Sequence, residues 1–132
     1  MDPVSRPGEG EPLERADRTI LVKGLTPELD LLEYDVGPDY EGPGPHYHER
    51  HADSFYVLEG ELEFRLGDET VRAPAGTSVA VPPGVVHAFT NARPDRARFL
   101  NVHAPESDFV EFLRAVMRGD DIDPVDYDIH NV

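Results

Sequence analysis

Two of the six histidines in this chain, His46 and His48, flank a single tyrosine. On an extended strand, residues i and i+2 point to the same face, about 6.6 to 6.8 Å apart along the chain. Both imidazoles can then meet one ion at about 2.0 to 2.1 Å. Taken alone, the pair reads equally well as two surface histidines beside a loop. Asp53 stands at the head of the next extended run and His87 at the head of another, and a closed site needs donors from more than one strand. His46, His48 and His87 are therefore the candidate metal ligands, with Asp53 as a fourth. The chain has no cysteine, which excludes a disulfide framework, a thiolate nucleophile and a Cys-based zinc site. Any metal must be held by N and O donors, a set that suits Fe, Mn, Ni, Zn and Cu alike. The expected cofactor is one divalent ion of unassigned identity.

Such donors need rigid strands behind them, and the sequence supplies short ones. Thr19 to Lys23 and Asp30 to Val36 read as strands, the second with Leu32, Tyr34 and Val36 at period two. Tyr40 to Pro45, rich in Gly and Pro, cannot continue a ladder and forms a loop that delivers the chain to His46. Ser54 to Leu58 is aromatic and β-branched, and Leu62, Phe64 and Leu66 alternate strictly with Glu61, Glu63 and Arg65. Gly67-Asp68 is a tight-hairpin signal before Glu69 to Ala73. Thr77 to Val81, Val85 to Asn91 and Arg96 to His103 complete the set. Short strands at this spacing predict an antiparallel sandwich or barrel.

One segment reads as a helix. In Asp108 to Arg118, Phe109, Phe112, Leu113, Val116 and Met117 form one apolar stripe. Asp108 with Glu111 fits a capping box and Gly119 a C-terminal cap. The stripe is expected to cover the barrel or a neighbouring subunit, as packing and not as site. The 132 residues thus divide into a flexible arm over 1–18, a barrel over 19–104, a helical segment over 105–119 and an acidic tail over 120–132. The tail holds Asp120, Asp121, Asp123, Asp126 and Asp128, a density that self-repels and predicts a mobile or loosely docked segment.

With 12 basic and 27 acidic residues the formal net charge is −15. A phosphate backbone would be repelled over most of the surface, so nucleic acid is excluded as a partner. No run approaches the roughly 20 apolar residues of a membrane span, and residues 1–18 lack the apolar run of a secretory signal. The expected compartment is the cytoplasm, with no membrane partner.

The run from Gly76 through Pro82, Gly84 and His87 to Asn91 resembles the second motif of the cupin superfamily, G-x5-P-x-G-x2-H-x3-N, at every fixed position. The first motif, G-x5-H-x-H-x3-4-E-x6-G, is matched at His46, His48 and Gly60. It departs at Tyr40, where its glycine would stand, and at Asp53, where its glutamate would stand. The resemblance spans about residues 19–104. It implies an all-β fold, an antiparallel double-stranded β-helix or jelly-roll barrel with the helix appended. It also implies one divalent metal in the barrel mouth and frequent dimerisation, hence a homodimer as expected partner besides a small-molecule substrate or ligand. Similar small cupins include dioxygenases, isomerases and polyketide cyclases. The implied function is a metal-dependent oxidoreductase of dioxygenase type or an isomerase or cyclase, the alternative being a non-catalytic ligand-binding module.

Aspartate is one methylene shorter than glutamate. Asp53 either ligates directly, ligates through water, orients a histidine N–H beside a three-histidine site, or, unligated, serves as a base. Phe55, Val57 and Phe89 share strand parity with Asp53 or His87 and are expected to line an apolar pocket. His51, out of step with its neighbours, reads as an exposed loop histidine, with a replacement ligand as the other reading. Asn91 is expected to fix a turn. The direction of His103 is open, as are pocket roles for Tyr34, Tyr47 and Tyr56.

Overall fold

The computed structural model describes residues 3–132. The chain runs through β1 (Glu11–Arg15), β2 (Arg18–Leu25), β3 (Asp30–Val36), β4 (His46–Tyr47), β5 (Ala52–Glu59), β6 (Glu61–Leu66), β7 (Glu69–Pro74), β8 (Ser78–Val81), β9 (His87–Thr90) and β10 (Ala97–Ala104). Helix α1 (Phe109–Arg118), a 3-10 turn (Pro124–Tyr127) and β11 (His130–Asn131) follow. Two antiparallel sheets, ordered β1-β2-β3-β10-β5-β8 and β11-β4-β9-β6-β7, face each other as a jelly-roll barrel.

Strand alternation decides which residues enter the barrel. Leu62 and Phe64 of β6 are buried while Glu63 and Arg65 are exposed, and β3 buries Asp30, Leu32, Tyr34 and Val36. In β10 the inward set is Ala97, Phe99, Asn101 and His103. Aromatic rings fill the centre. Tyr34 stacks on Phe99 at 4.7 Å between centroids, and Phe55 meets Phe64 edge-on at 4.9 Å, arrangements worth about 0.5 to 1.5 kcal/mol each beyond the area they bury.

The loop before β4 must pass close to β9. Gly42 has φ of +67°, and a Cβ there would lie 2.0 Å from the Phe89 carbonyl oxygen, so only glycine lets the loop close in this way. The Tyr40 carbonyl accepts from Asn91 N at 2.9 Å, and the Asn91 amide donates to Gly37 O and Asp95 O. Asn91 therefore fixes this turn, as its position suggested.

Three expectations need correction. Residues 1–18 are not an arm throughout: 1 and 2 lie outside the described residues, but Glu11–Arg15 pairs with β2 as an edge strand. Its Pro12 is tolerated because an edge strand leaves one row of N–H groups unused. Helix α1 has no capping box. Asp108 sits at φ 64° and makes no side-chain cap, whereas Gly119 ends the helix in the left-handed conformation. The acidic tail is docked, with Asp128 and Ile129 buried and His130 and Asn131 paired to Tyr47 and His46.

The helix reaches the barrel through β1. Arg15 donates to the Val116 carbonyl at 2.9 Å, and Arg114 Nε donates to Glu11 Oε2 at 2.9 Å. The apolar stripe of α1 packs against the barrel core, with Leu113 in it and Phe109, Phe112 and Met117 against it. No helix among the described residues is long and apolar enough to cross a membrane.

Candidate metal centre

Register brings the four expected donors together. His46 of β4 pairs directly with His87 of β9, and Asp53 of β5 enters from the opposing sheet, with His48 just past β4. All four are buried, and one donor atom from each lies within 4.8 Å of the others.

Each imidazole is oriented by the backbone. His46 Nδ1 donates to Gly44 O at 2.8 Å, His48 Nδ1 to Asp128 O at 2.8 Å and His87 Nδ1 to Val85 O at 2.9 Å. A neutral ring that donates from Nδ1 carries its lone pair on Nε2. His48 Nε2 and His87 Nε2 then lie 3.2 and 2.9 Å from one oxygen, Asp53 Oδ2. Lone pairs converging on a carboxylate oxygen repel unless a cation lies among them, so the donor set fits a divalent ion.

Asp53 is held at both ends. Its Oδ1 accepts from Asn101 Nδ2 at 2.6 Å, which leaves Oδ2 turned to the histidines. Burial works to raise its pKa. The charge of the nearby His103 works against that, and the carboxyl stays well below its usual range. Burial lowers His46 to about 4, beyond what its bond to Gly44 restores. The ring is therefore neutral, the form a ligand requires.

His103, whose direction the sequence left open, faces inward at 1% exposure. Its backbone N and its Nδ1 both donate to Asp30 Oδ1, at 3.0 and 2.9 Å, and its Nε2 lies 3.4 Å from Asp53 Oδ1. Burial opposes its charge, but Asp53 and Asp30 together raise its pKa. Phe109 of α1 stacks on the ring at 4.0 Å.

His51 is not exposed. It is 1% accessible, stacks on His48 at 4.1 Å, and donates from Nδ1 to Asp128 Oδ2 at 2.8 Å. Nor does it join the four-donor group. Its Nε2 is buried without a hydrogen-bond partner among the described residues, and the residue groups with His48 and His103. Burial, reinforced by those two rings, lowers His51 to about 4.

A cavity of about 430 Å³ opens beside the centre. Phe55 and Phe89 line it, together with Tyr34, Asn101 and His103. Val57 does not: it is fully buried in the apolar core. Tyr56 is exposed, and Tyr47 stacks on His130 away from the cavity. Phe109, Phe112, Leu113 and Val116 of α1 form a further wall, so the helical stripe shapes the site besides packing the barrel.

Asp30, Asn101 and Asp128 were not singled out from the sequence. The first two had a signal, since Asp30 shares parity with Leu32, Tyr34 and Val36, and Asn101 with Ala97 and Phe99, apolar residues on the same inward faces. A polar residue on a buried face is an informative departure.

Residues 32–103 match the family model of the cupin domain. Quercetin 2,3-dioxygenase of Bacillus subtilis (strain 168) is 28% identical over 89 residues, covering 65% of this chain but only 26% of that enzyme. The chain thus spans about a quarter of that relative's length. KdgF from Halomonas sp. superposes with a TM-score of 0.74 at 22% identity, over 83% of this chain and 99% of its own. The polyketide cyclase RemF from Streptomyces resistomycificus superposes with a TM-score of 0.66 at 26% identity, over 80% of each chain. More than half of the sequence fits the family model, and the barrel that carries it is that of the solved relatives: the chain belongs to the cupin family.

Proposed function

We propose that this chain binds one divalent metal ion through Nε2 of His46, His48 and His87 and Oδ2 of Asp53, and acts as an enzyme on a small molecule held in the adjoining cavity. The observation that carries the reading is the set of three Nδ1–H donations to Gly44, Asp128 and Val85, which leaves the Nε2 lone pairs of His46, His48 and His87 to a cation, those of His48 and His87 facing Asp53 Oδ2 at 3.2 and 2.9 Å. An ion held there supplies a Lewis acid for a carbonyl or enol oxygen and, if it is Fe, Mn, Ni or Cu, redox chemistry with O₂.

The remaining work falls to the chain's own groups. Asn101 fixes the carboxylate of Asp53 by donating to Oδ1, which keeps Oδ2 toward the histidines. His103, braced by Asp30, holds a proton at Nε2 beside Asp53 and can give it to, or take it from, a substrate oxygen. Phe55, Phe89 and Phe109 wall the cavity and exclude water, which favours a flat, largely apolar substrate with one or two oxygens to present. The relatives include a quercetin 2,3-dioxygenase and a polyketide cyclase, which supports an enolic or phenolic substrate and a dioxygenase-like or cyclase-like reaction.

The test is to load metal-free protein with Fe, Mn, Ni, Zn and Cu in turn. Bound metal is counted, and O₂ uptake and product formation are followed against a panel of enolic and phenolic compounds. The expected result is one ion per chain and turnover with at least one metal. Failure to retain any metal overturns the centre, and retention without turnover across the panel points to a ligand-binding module.

A further inference from the structure

Residues 123–132 lie beyond the family model, which ends at His103, yet they touch both ends of the ligand-bearing segment 46–51. Asp128 is fully buried and sits in the left-handed conformation that closes the 3-10 turn. Its carboxylate accepts Glu49 N and Arg50 N at 2.8 Å each, His51 Nδ1 at 2.8 Å and His130 Nε2 at 3.1 Å. Its carbonyl accepts His48 Nδ1. Three residues on, Asn131 pairs with His46, and Val132 N donates to Pro45 O at 3.0 Å.

Besides these contacts the segment has few others, Gly84 N donating to His48 O at 2.7 Å among them. β4 is two residues long and joins β9 only at His46 and His87. Past it, residues 48–51 leave the ladder, and two successive backbone N–H groups there find their acceptor in one side chain. A carboxylate that gathers two amides and two imidazoles fixes the loop more firmly than water could.

We propose that Asp128 is a positioning residue for the metal centre: it sets the orientation of His48 through its carbonyl and the course of residues 49–51 through its carboxylate. This inference rests on the proposed metal centre. Ile129, its neighbour, lines the cavity, so the same segment that aims a ligand also forms part of the substrate wall.

Co(II) is the probe, since its visible spectrum reports ligand geometry directly. Asp128→Ala removes the four side-chain acceptances and is expected to weaken Co(II) binding by about 10- to 100-fold, as loss of an outer partner does, and to shift the visible bands. Asp128→Asn keeps the volume but turns an NH₂ toward N–H donors, and an intermediate loss is expected. It carries the test if the alanine variant does not fold. Asp123→Ala, which removes only the cap on Val125 N, is expected to bind Co(II) as the parent does. Thermal unfolding of each metal-free variant separates a loss of fold from a loss of site. If both Asp128 variants bind Co(II) with the parent affinity and spectrum, the inference is overturned even if their thermal midpoints fall. If the parent protein itself takes up no Co(II), the centre fails and this inference falls with it.

Discussion

The two ends of the barrel are built on the same strands and differ completely in chemistry. Read along their inward faces, β3 passes from Val36 and Tyr34 to Leu32 and Asp30, β10 from Ala97 and Phe99 to Asn101 and His103, and β5 from Val57 and Phe55 to Asp53. Register aligns these gradients, since Asp30, His103 and Asp53 are cross-strand neighbours, as are Tyr34, Phe99 and Val57. One end is therefore an apolar floor and the other a polar mouth. The floor stabilises the fold by burying apolar surface. The mouth buries carboxylates and imidazoles at a cost that only mutual hydrogen bonds, and a cation, can offset. A single barrel can then support a demanding site because its stability is supplied at the other end.

The largest effect should come from damage to the floor. Phe99→Ala removes a ring that contacts Tyr34, Phe55 and Phe89 and is expected to cost about 3 to 5 kcal/mol in chemical denaturation. A loss below about 1 kcal/mol would mean that the floor is not where stability resides.

Next in size is a pH effect confined to the mouth, since the floor holds no group that titrates below the raised Tyr34. His46 and His51 are lowered to about 4 by burial. The unfolded chain therefore binds their protons first, and metal-free protein loses stability as pH falls from about 6.5 to about 4. Asp128 is lowered to about 2, the amides of Glu49 and Arg50 outweighing its burial. Its contribution is present above about 4 and is lost as pH falls toward 2. The raised His103 has the opposite sign, its stabilisation being complete below about 6.5 and lost as pH rises through its folded value. Unfolding curves across pH 3 to about 9 check this, and a flat profile between pH 4 and 6.5 would contradict it.

His87→Ala separates the ends most cleanly. Metal affinity should fall by at least about 100-fold, beyond the usual effect of an outer partner, while metal-free stability falls less than in Phe99→Ala. Competition with a chromophoric chelator measures the first and denaturation the second. The smallest effect is expected outside both regions. Arg72 donates to Glu61 at 3.0 Å but is largely exposed, so Arg72→Ala should cost no more than about 1 kcal/mol.

Much of this contrast is legible in the sequence, and the omissions have physical reasons. Alternation in Glu61–Leu66 and Asp30–Val36 fixes those strands to the residue because one face is wet and the other dry. His46, His48, Asp53 and His87 follow from spacing together with the cupin resemblance. His51 escapes because parity holds only inside a ladder, and residues 48–51 are outside one. Asp128 escapes because nothing local separates it from Asp120, Asp121, Asp123 and Asp126. Its burial comes from a left-handed turn and from partners about eighty residues away in sequence. β1 escapes because a Pro- and Glu-rich edge strand with one buried side chain, Leu13, has the composition of a disordered arm.

The pairing of His46 with His87 also bears on how the protein reaches its native state. A two-residue strand anchored on residues 87 and 131 closes loops of about forty and eighty-five residues for very few contacts, and such non-local closure is slow and entropically costly. The ligand strand is therefore expected to condense late, after the six-stranded sheet has formed around β10. A cation that binds only once this has happened would act on unfolding more than on folding, lengthening the lifetime of the finished barrel without hastening its assembly.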